Sequence, residues 1–213
     1  MIGRLIVFEG IDGVGKTSMF DRTISHLQMK LGPENVEQSK DLGGSLLGEE
    51  LRRIIYGPVP PKDLAHGVID LLFLAGHIQN WLTRVQPWLR EGKTVVSDRW
   101  WLSQFAYTVA RDFDTDVQDL YFKKKGDWPG LTIFLYGDPG TVLARANSRV
   151  DSETHQYKKV WNDPGKQQRV LDKYFELYKD KPGFYPVRVD GRTEEKVWTI
   201  VKYAVDQYIG MKP

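Results

Sequence analysis

Arg4-Leu5-Ile6-Val7-Phe8-Glu9-Gly10-Ile11-Asp12-Gly13-Val14-Gly15-Lys16-Thr17-Ser18 (RLIVFEGIDGVGKTS) is the stretch on which the fold turns. Leu5 to Phe8 is a short apolar run, too short for a buried helix and right for a buried strand. It leads straight into Gly10–Thr17, which fits G-x-x-x-x-G-K-[ST] at every position. Gly10, Gly13 and Gly15 carry no Cβ, so the backbone can wrap closely and turn its N–H groups inward. With Asp12 and Val14 they form the loop, and Lys16, Thr17 and Ser18 open the helix behind it. Orphan N–H groups and the helix dipole both favour an anion at that helix start. Lys16 would bring a point charge to the β- and γ-phosphates, and the Thr17 hydroxyl is a hard oxygen ligand for Mg²⁺. The plainer alternative is a glycine-rich turn that binds nothing. A complete match in strand–loop–helix context argues instead for a nucleoside-triphosphate site.

The 213 residues suffice for a single domain, 1–213, with a sizeable core. Thirty basic and 28 acidic residues leave a formal charge of +2, which is no electrostatic footprint for nucleic acid. Without cysteine there are no disulfides or thiolate metal sites, in keeping with a reducing compartment. No apolar run approaches the ~20 residues of a membrane span. The first strand begins so early that no signal or transit peptide is expected before it. The expectation is a soluble, cytoplasmic protein.

Further along, Phe20, Ile24, Leu27 and Leu31 recur at helical spacing until Gly32-Pro33. Asn35 to Gln38 reads as a weak strand, Ser39 to Ser45 as a loop, and Ser45 as the N-cap of a helix carrying Leu46, Leu47, Leu51 and Ile54. A proline-rich connection, 56–62, precedes a long helix from about Asp63 to Arg84, which Pro87 should break or kink. Thr94–Ser97 and Leu131–Tyr136 are buried strands, and Tyr185–Val189 is another strand. Helices are expected over Ser103–Ala110, Gly140–Arg149, Lys166–Tyr178 and Glu194–Ile209. Residues 112–126 are polar, and 150–165 have no apolar period and read as a mobile segment. Alternating strands and helices predict an α/β fold with a parallel sheet of about five strands covered on both faces.

Ligands of such sheets bind beyond the carboxyl ends of the strands, so the residues just after each strand are the ones to inspect. Asp98, at the end of its strand, could hold Mg²⁺ directly or through water, and Arg99 suits a bidentate phosphate contact. A structural salt bridge at a strand end is their plainer reading. Arg145 and Arg149 lie one helical turn apart and could close over a transferring phosphoryl group; a solvated helix face is the alternative.

FEGIDGVGKTS, SKDLGGS, LLFLAGH, SDRWWLSQFAY, DPGTVLARANSR and KYFELY, in that order, resemble the thymidylate kinase family over about residues 4–190. The resemblance implies a three-layer P-loop NTPase fold with a lid segment at about 147–165. It also implies an Mg²⁺-dependent transfer of phosphoryl from ATP to a deoxynucleoside monophosphate, dTMP foremost, and it suggests a homodimer. Carried onto matching positions, Asp12 would lie between the sugar 3′-hydroxyl and the metal, and Phe73 would stack on the base. Arg99 would grip the acceptor phosphate, Ser103 and Gln104 would meet the base edge, and Tyr107 would exclude a ribose 2′-hydroxyl. Two positions depart from the pattern. Lys40 stands for an arginine, so a planar fork becomes a point charge. His77 stands for an arginine directed at a thymine carbonyl, which implies weaker base discrimination and turnover of dUMP beside dTMP. Gly13 replaces a loop arginine of some members, leaving lid charge to Arg145 and Arg149. Two rivals are a P-loop kinase of another acceptor and a P-loop ATPase switch.

Overall fold

The computed structural model of the chain describes residues 3–56, 66–110, 128–148 and 163–210. The described residues form one five-stranded sheet: β1 (Arg4–Gly10), β2 (Val36–Lys40), β3 (Thr94–Asp98), β4 (Leu131–Tyr136) and β5 (Phe184–Arg188). All pairings are parallel, in the order β2-β3-β1-β4-β5. The helices are α1 (Lys16–Leu31), α2 (Leu46–Tyr56), α3 (His66–Asn80), α4 (Gln86–Arg90), α5 (Trp101–Val109), α6 (Pro139–Ser148), α7 (Pro164–Tyr178) and α8 (Glu194–Gly210).

Strand side chains alternate between the two faces of a sheet, and at the end of β1 the alternation separates two environments. Phe8 meets Phe20 of α1 edge-on, with ring centroids 6.2 Å apart. Glu9, the next residue, meets Ser103 of α5 and Tyr174 of α7 on the opposite face. Helices α1 and α8 therefore cover one side, joined by Arg22–Glu195 and His26–Asp206. Helices α5 and α7 cover the other, where Tyr178 reaches the Leu102 carbonyl. Between these layers Ile6, Val7, Phe8, Val95, Val96, Ile133, Phe134 and Leu135 are fully buried, which explains their unbroken apolar runs. A smaller cluster of Leu42, Leu51, Ile55 and Ile69 lies under α2 and α3.

Two segments differ from the sequence reading. β2 extends to Lys40 because its backbone pairs with β3 from Val36↔Thr94 to Lys40↔Asp98. An edge strand needs main-chain partners more than an apolar pattern, so Ser39 and Lys40 belong to the sheet and not to a loop. Beyond Asn80 the helix continues through a π segment, Trp81–Val85, into α4. Pro87 has no N–H and its ring crowds the preceding turn; the widened turn, in which Gln86 N–H reaches Trp81 O, accommodates it without ending the helix. The N-cap at Ser45 is present, its Oγ accepting from the Gly48 N–H at 3.0 Å. The start of the long helix at Asp63, the proline-rich stretch from 57 and the polar stretch 112–126 lie outside the described residues, as does most of the lid segment.

β1 and β4 approach most closely at Gly10, where φ is +140° and an added Cβ would sit 2.1 Å from the Leu135 carbonyl oxygen. At Gly15, φ +95°, an added Cβ meets nothing within 4 Å. Gly10→Ala is expected to cost more than about 3 kcal/mol, and Gly15→Ala about 1–2 kcal/mol, in urea unfolding. Equal losses at both positions would refute the close approach at Gly10.

Candidate active site

The loop between β1 and α1 holds its shape through left-handed backbone at Gly13 and Gly15 (φ +83° and +95°). Lys16 folds back over it, donating from Nζ to the carbonyls of Gly10 (2.9 Å) and Ile11 (2.8 Å). Burial, aided by the Arg99 charge, pushes its ammonium down to about 8. Val14 is buried beneath the loop, Thr17 is exposed, and Ser18 donates to Glu194 of α8 at 2.5 Å. The Ser18 hydroxyl is thus engaged with the neighbouring helix.

β3 ends beside this loop, and Arg99 continues its ladder by donating its N–H to the Phe8 carbonyl at 2.9 Å. Arg99 is left-handed, φ +70°, one of two described non-glycine residues with positive φ. Its guanidinium pairs with Asp12 through Nη2, donates to Ser103 Oγ through Nη1 at 2.8 Å, and lies 5.8 Å from the Tyr107 ring. Asp12 is also 3.9 Å from Lys16 Nζ. Two cations therefore converge on one carboxylate at the mouth of the loop, an arrangement able to hold phosphate groups on both sides of it.

Asp98, Thr17, Asp21, Lys40 and Gly44 line a pocket of about 240 Å³ next to the loop. Asp98 Oδ1 is buried there without a hydrogen-bond partner. Among the described residues no three His, Asp or Glu side chains cluster as a metal cage. One carboxylate and one hydroxyl beside a phosphate loop are nonetheless the sparse protein donor set that Mg²⁺ takes, since it retains waters and phosphate oxygens as its other ligands. The donors fit that ion.

On the acceptor side the geometry is mixed. Phe73 is half-buried on α3, edge-on to Tyr56 at 6.1 Å. Gln104 donates from Nε2 to the Asp70 carbonyl at 2.6 Å, while its Oε1 is buried and unpartnered. Burial pushes the Tyr107 hydroxyl up, keeping it neutral. Lys40 is exposed at the end of β2 and shares the pocket with Asp98. His77 and Ser103 depart from expectation. His77 is only 2% exposed, with Nδ1 3.2 Å from Asp41 Oδ1 and its ring edge-on to Trp100 at 4.5 Å. It is a packed interior histidine, not a side chain presented to a base. Ser103 is buried, its hydroxyl engaged by Glu9, Arg99 and Tyr174, so it serves the interior and not a base edge. Arg145 is exposed on α6. Arg149 and lid residues 150–162 lie outside the described residues.

Glu9 was not singled out by the sequence, where it reads as one polar residue closing an apolar strand. It is fully buried and accepts from the N–H groups of Trp100 (2.9 Å) and Ser103 (3.2 Å), the Ser103 hydroxyl, and Tyr174 OH (2.7 Å). Burial pushes its carboxyl up to about 7, against the downward pull of the Arg99 charge and of these hydrogen bonds. Lys16 is the other charge that feels it. Because the folded state favours the neutral acid, the unfolded chain ionises first as pH rises from about 4.5. Stability should therefore fall between pH 4.5 and 7 and then level off. Glu9→Gln cannot titrate, so its melting temperature should gain on wild type by roughly 5–10 °C across that interval. Parallel curves would show that the Glu9 carboxyl has no such shift.

Residues 8–199 match the family model described as thymidylate kinase. The chain is 31% identical over 212 residues to the thymidylate kinase of Photobacterium profundum, covering 98% of this chain and 99% of that one. It is 30% identical over 200 residues to that of Buchnera aphidicola subsp. Baizongia pistaciae, covering 91% and 90%. Among solved structures, the thymidylate kinase of Ehrlichia chaffeensis superposes with a TM-score of 0.74 at 21% identity, covering 97% of this chain and 99% of that one. The Candida albicans thymidylate kinase gives 0.73 at 23%, covering 97% and 92%. These two share the fold. A family match spanning nearly the whole described sheet and its loops, with a phosphate loop facing Arg99 across Asp12, makes this chain a member of the thymidylate kinase family.

Proposed function

We propose that the chain transfers the γ-phosphoryl group of ATP to dTMP, giving ADP and dTDP. The observation that carries this reading is the convergence of Lys16 and the Arg99 fork on Asp12 at the mouth of a three-glycine loop. Gly10, Gly13, Val14 and Gly15 would wrap the donor phosphates with backbone N–H groups, and Lys16 would release the loop carbonyls to meet them. Arg99 would hold the acceptor phosphate, and Asp12 would orient it against the donor. Positioning and charge neutralisation carry such a transfer without a general base. Thr17 and Asp98 would hold Mg²⁺, which neutralises charge on the β- and γ-oxygens when bound. Phe73 would stack on the base, Gln104 would meet its edge, Tyr107 would crowd a 2′-hydroxyl, and Lys40 would add charge near the acceptor. Arg145, with Arg149, would supply charge from the lid side. We place the reaction in the cytoplasm, a reading supported by the absence of cysteine and by the ATP donor. No helix among the described residues is long and apolar enough to cross a membrane.

Release of ADP should be measured against dTMP, dUMP, dCMP, dGMP, UMP and the free nucleosides. dTMP should be best. With His77 held against Asp41 and Trp100, the 4-position of the base would be read less strictly, and dCMP, which carries an amino group there, should be turned over measurably. A hydrogen bond to a neutral acceptor is worth about 0.5–1.5 kcal/mol, so preference for a 4-carbonyl base should narrow by roughly 2–12-fold. Lys16→Ala should abolish transfer while the chain still unfolds in one cooperative step, its melting temperature lowered by the loss of the two carbonyl bonds. Near-normal kcat in that variant, or ATP hydrolysis indifferent to every acceptor, would overturn the kinase reading.

A homodimer is the proposed assembly. Val68, Leu71 and Leu82 are exposed along α3 and its π extension, and Leu46 and Leu47 are exposed on α2. Such an apolar face suits a second copy. Light scattering that returns a monomer at micromolar concentration would refute it.

A further inference from the structure

A carboxyl group with no exposure, on the central strand of a sheet, is costly to bury unless its partners are placed to satisfy it. Glu9 is such a group, and its partners have one thing in common: they lie on, or brace, the segment that begins with Arg99. Two are backbone. Trp100 is the N-cap of α5, extended at φ −150°, and its own side chain caps nothing. The Ser103 N–H, in the first turn, would ordinarily donate to an N-cap side chain. Glu9 Oε1 takes it instead, together with the Trp100 N–H. A residue of β1 thus caps a helix that follows β3, and its carboxyl oxygens lie at the positive end of that helix.

The other partners concern the arginine's side chain. Arg99 Nη1 donates to Ser103 Oγ, and the Ser103 hydroxyl donates onward to Glu9 Oε2. Tyr174 OH, from α7, supports the same oxygen at 2.7 Å. With its proton directed at Glu9, Ser103 presents a lone pair to the guanidinium. Arg99 is also held in a left-handed backbone that a non-glycine residue adopts only when its surroundings enforce it. Its N–H is pinned to Phe8 O on one side, and the next N–H is pinned to Glu9 on the other.

We propose that Glu9 is a positioning residue for the acceptor: it fixes the backbone of Arg99 and aims its guanidinium at the acceptor phosphate without touching substrate itself. This rests on the proposed role of Arg99. It predicts a specific kinetic signature, because the hydrogen bonds of Glu9 go to α5 and α7, whereas the donor loop is held by its own glycines and by the bonds from Lys16 to the Gly10 and Ile11 carbonyls.

The test is steady-state dTMP phosphorylation by wild type, Glu9→Gln, Tyr174→Phe, Arg99→Ala and the Glu9→Gln/Arg99→Ala double variant. Glu9→Gln preserves shape but removes the charge and reverses one hydrogen-bonding direction. Its KM for dTMP should rise about ten-fold, with the KM for ATP within about two-fold of wild type. Tyr174→Phe should shift the same constant in the same direction by about two- to four-fold. On the Arg99→Ala background, Glu9→Gln should add nothing further to the dTMP KM, because the two changes act through one contact. A merely structural carboxyl would raise both KM values together, or lower only the melting temperature. That outcome, or additive effects in the double variant, overturns the assignment. If Glu9→Gln does not fold, Tyr174→Phe decides alone: a dTMP KM equal to wild type refutes the proposal. Failure of the kinase reading would be recognised separately, as wild type that phosphorylates no monophosphate.

Discussion

The hydrogen bond from the Arg99 amide to the Phe8 carbonyl is the contact on which the site depends. It carries the β1–β3 ladder one residue past the end of β3, beyond the Phe8↔Asp98 pair. Two loops that leave neighbouring parallel strands are thereby held edge to edge, one rich in backbone donors and the other carrying a guanidinium. Because parallel strands all end on the same side, nothing more is needed to bring the phosphate loop, Lys40, Asp98 and Arg99 to one rim of the sheet. The order β2-β3-β1-β4-β5 places β1 in the middle, with chain crossing to opposite sides before β3 and β4. The crevice at that reversal is where the loop sits.

The same junction has an electrostatic logic. Desolvation disfavours both Glu9 and Lys16 in their charged forms, and each is moved toward neutrality. Asp12, more than half exposed, keeps its charge available to both cations. Charge is thus concentrated at the surface of the site and diluted beneath it. The interior instead holds oriented hydrogen bonds among Glu9, Ser103 and Tyr174, whose geometry a low-dielectric setting strengthens.

What the sequence made legible follows from where each piece of information is stored. The phosphate loop could be read because its chemistry is backbone geometry, and glycine spacing records backbone geometry directly. The buried strands β1, β3 and β4 were plain for the same reason: burial on both faces leaves an uninterrupted apolar run. β2 runs two residues past its sequence pattern because its partner is another strand's main chain, which leaves no mark on its own residues. The family pattern turns His77 and Ser103 toward a ligand, but direction depends on tertiary neighbours: Trp100 and Asp41 pack against the first, Glu9 and Tyr174 against the second. Glu9 was invisible on similar grounds. Its partners come from two helices far along the chain, at Trp100 and Ser103 and at Tyr174, and a lone acid after LIVF looks the same whether it is solvated or sealed. The π segment before Pro87 also escaped, since a proline in a helical pattern suggests a break and only packing selects a widened turn.

The strand order also bears on how the chain comes to be folded during synthesis. β1 is the first strand made and the central one in the sheet, yet its two neighbours are β3 and β4, beginning at Thr94 and Leu131. Until those segments have left the ribosome, Leu5–Phe8 has no edge to pair with and α1 has no sheet to cover. An apolar strand therefore precedes both of its sheet neighbours in the chain and is enclosed only when they arrive. Non-local pairing of this kind slows folding and prolongs exposure of sticky backbone. The length of that exposure is set by the chain between β1, which ends at Gly10, and β3, which begins at Thr94.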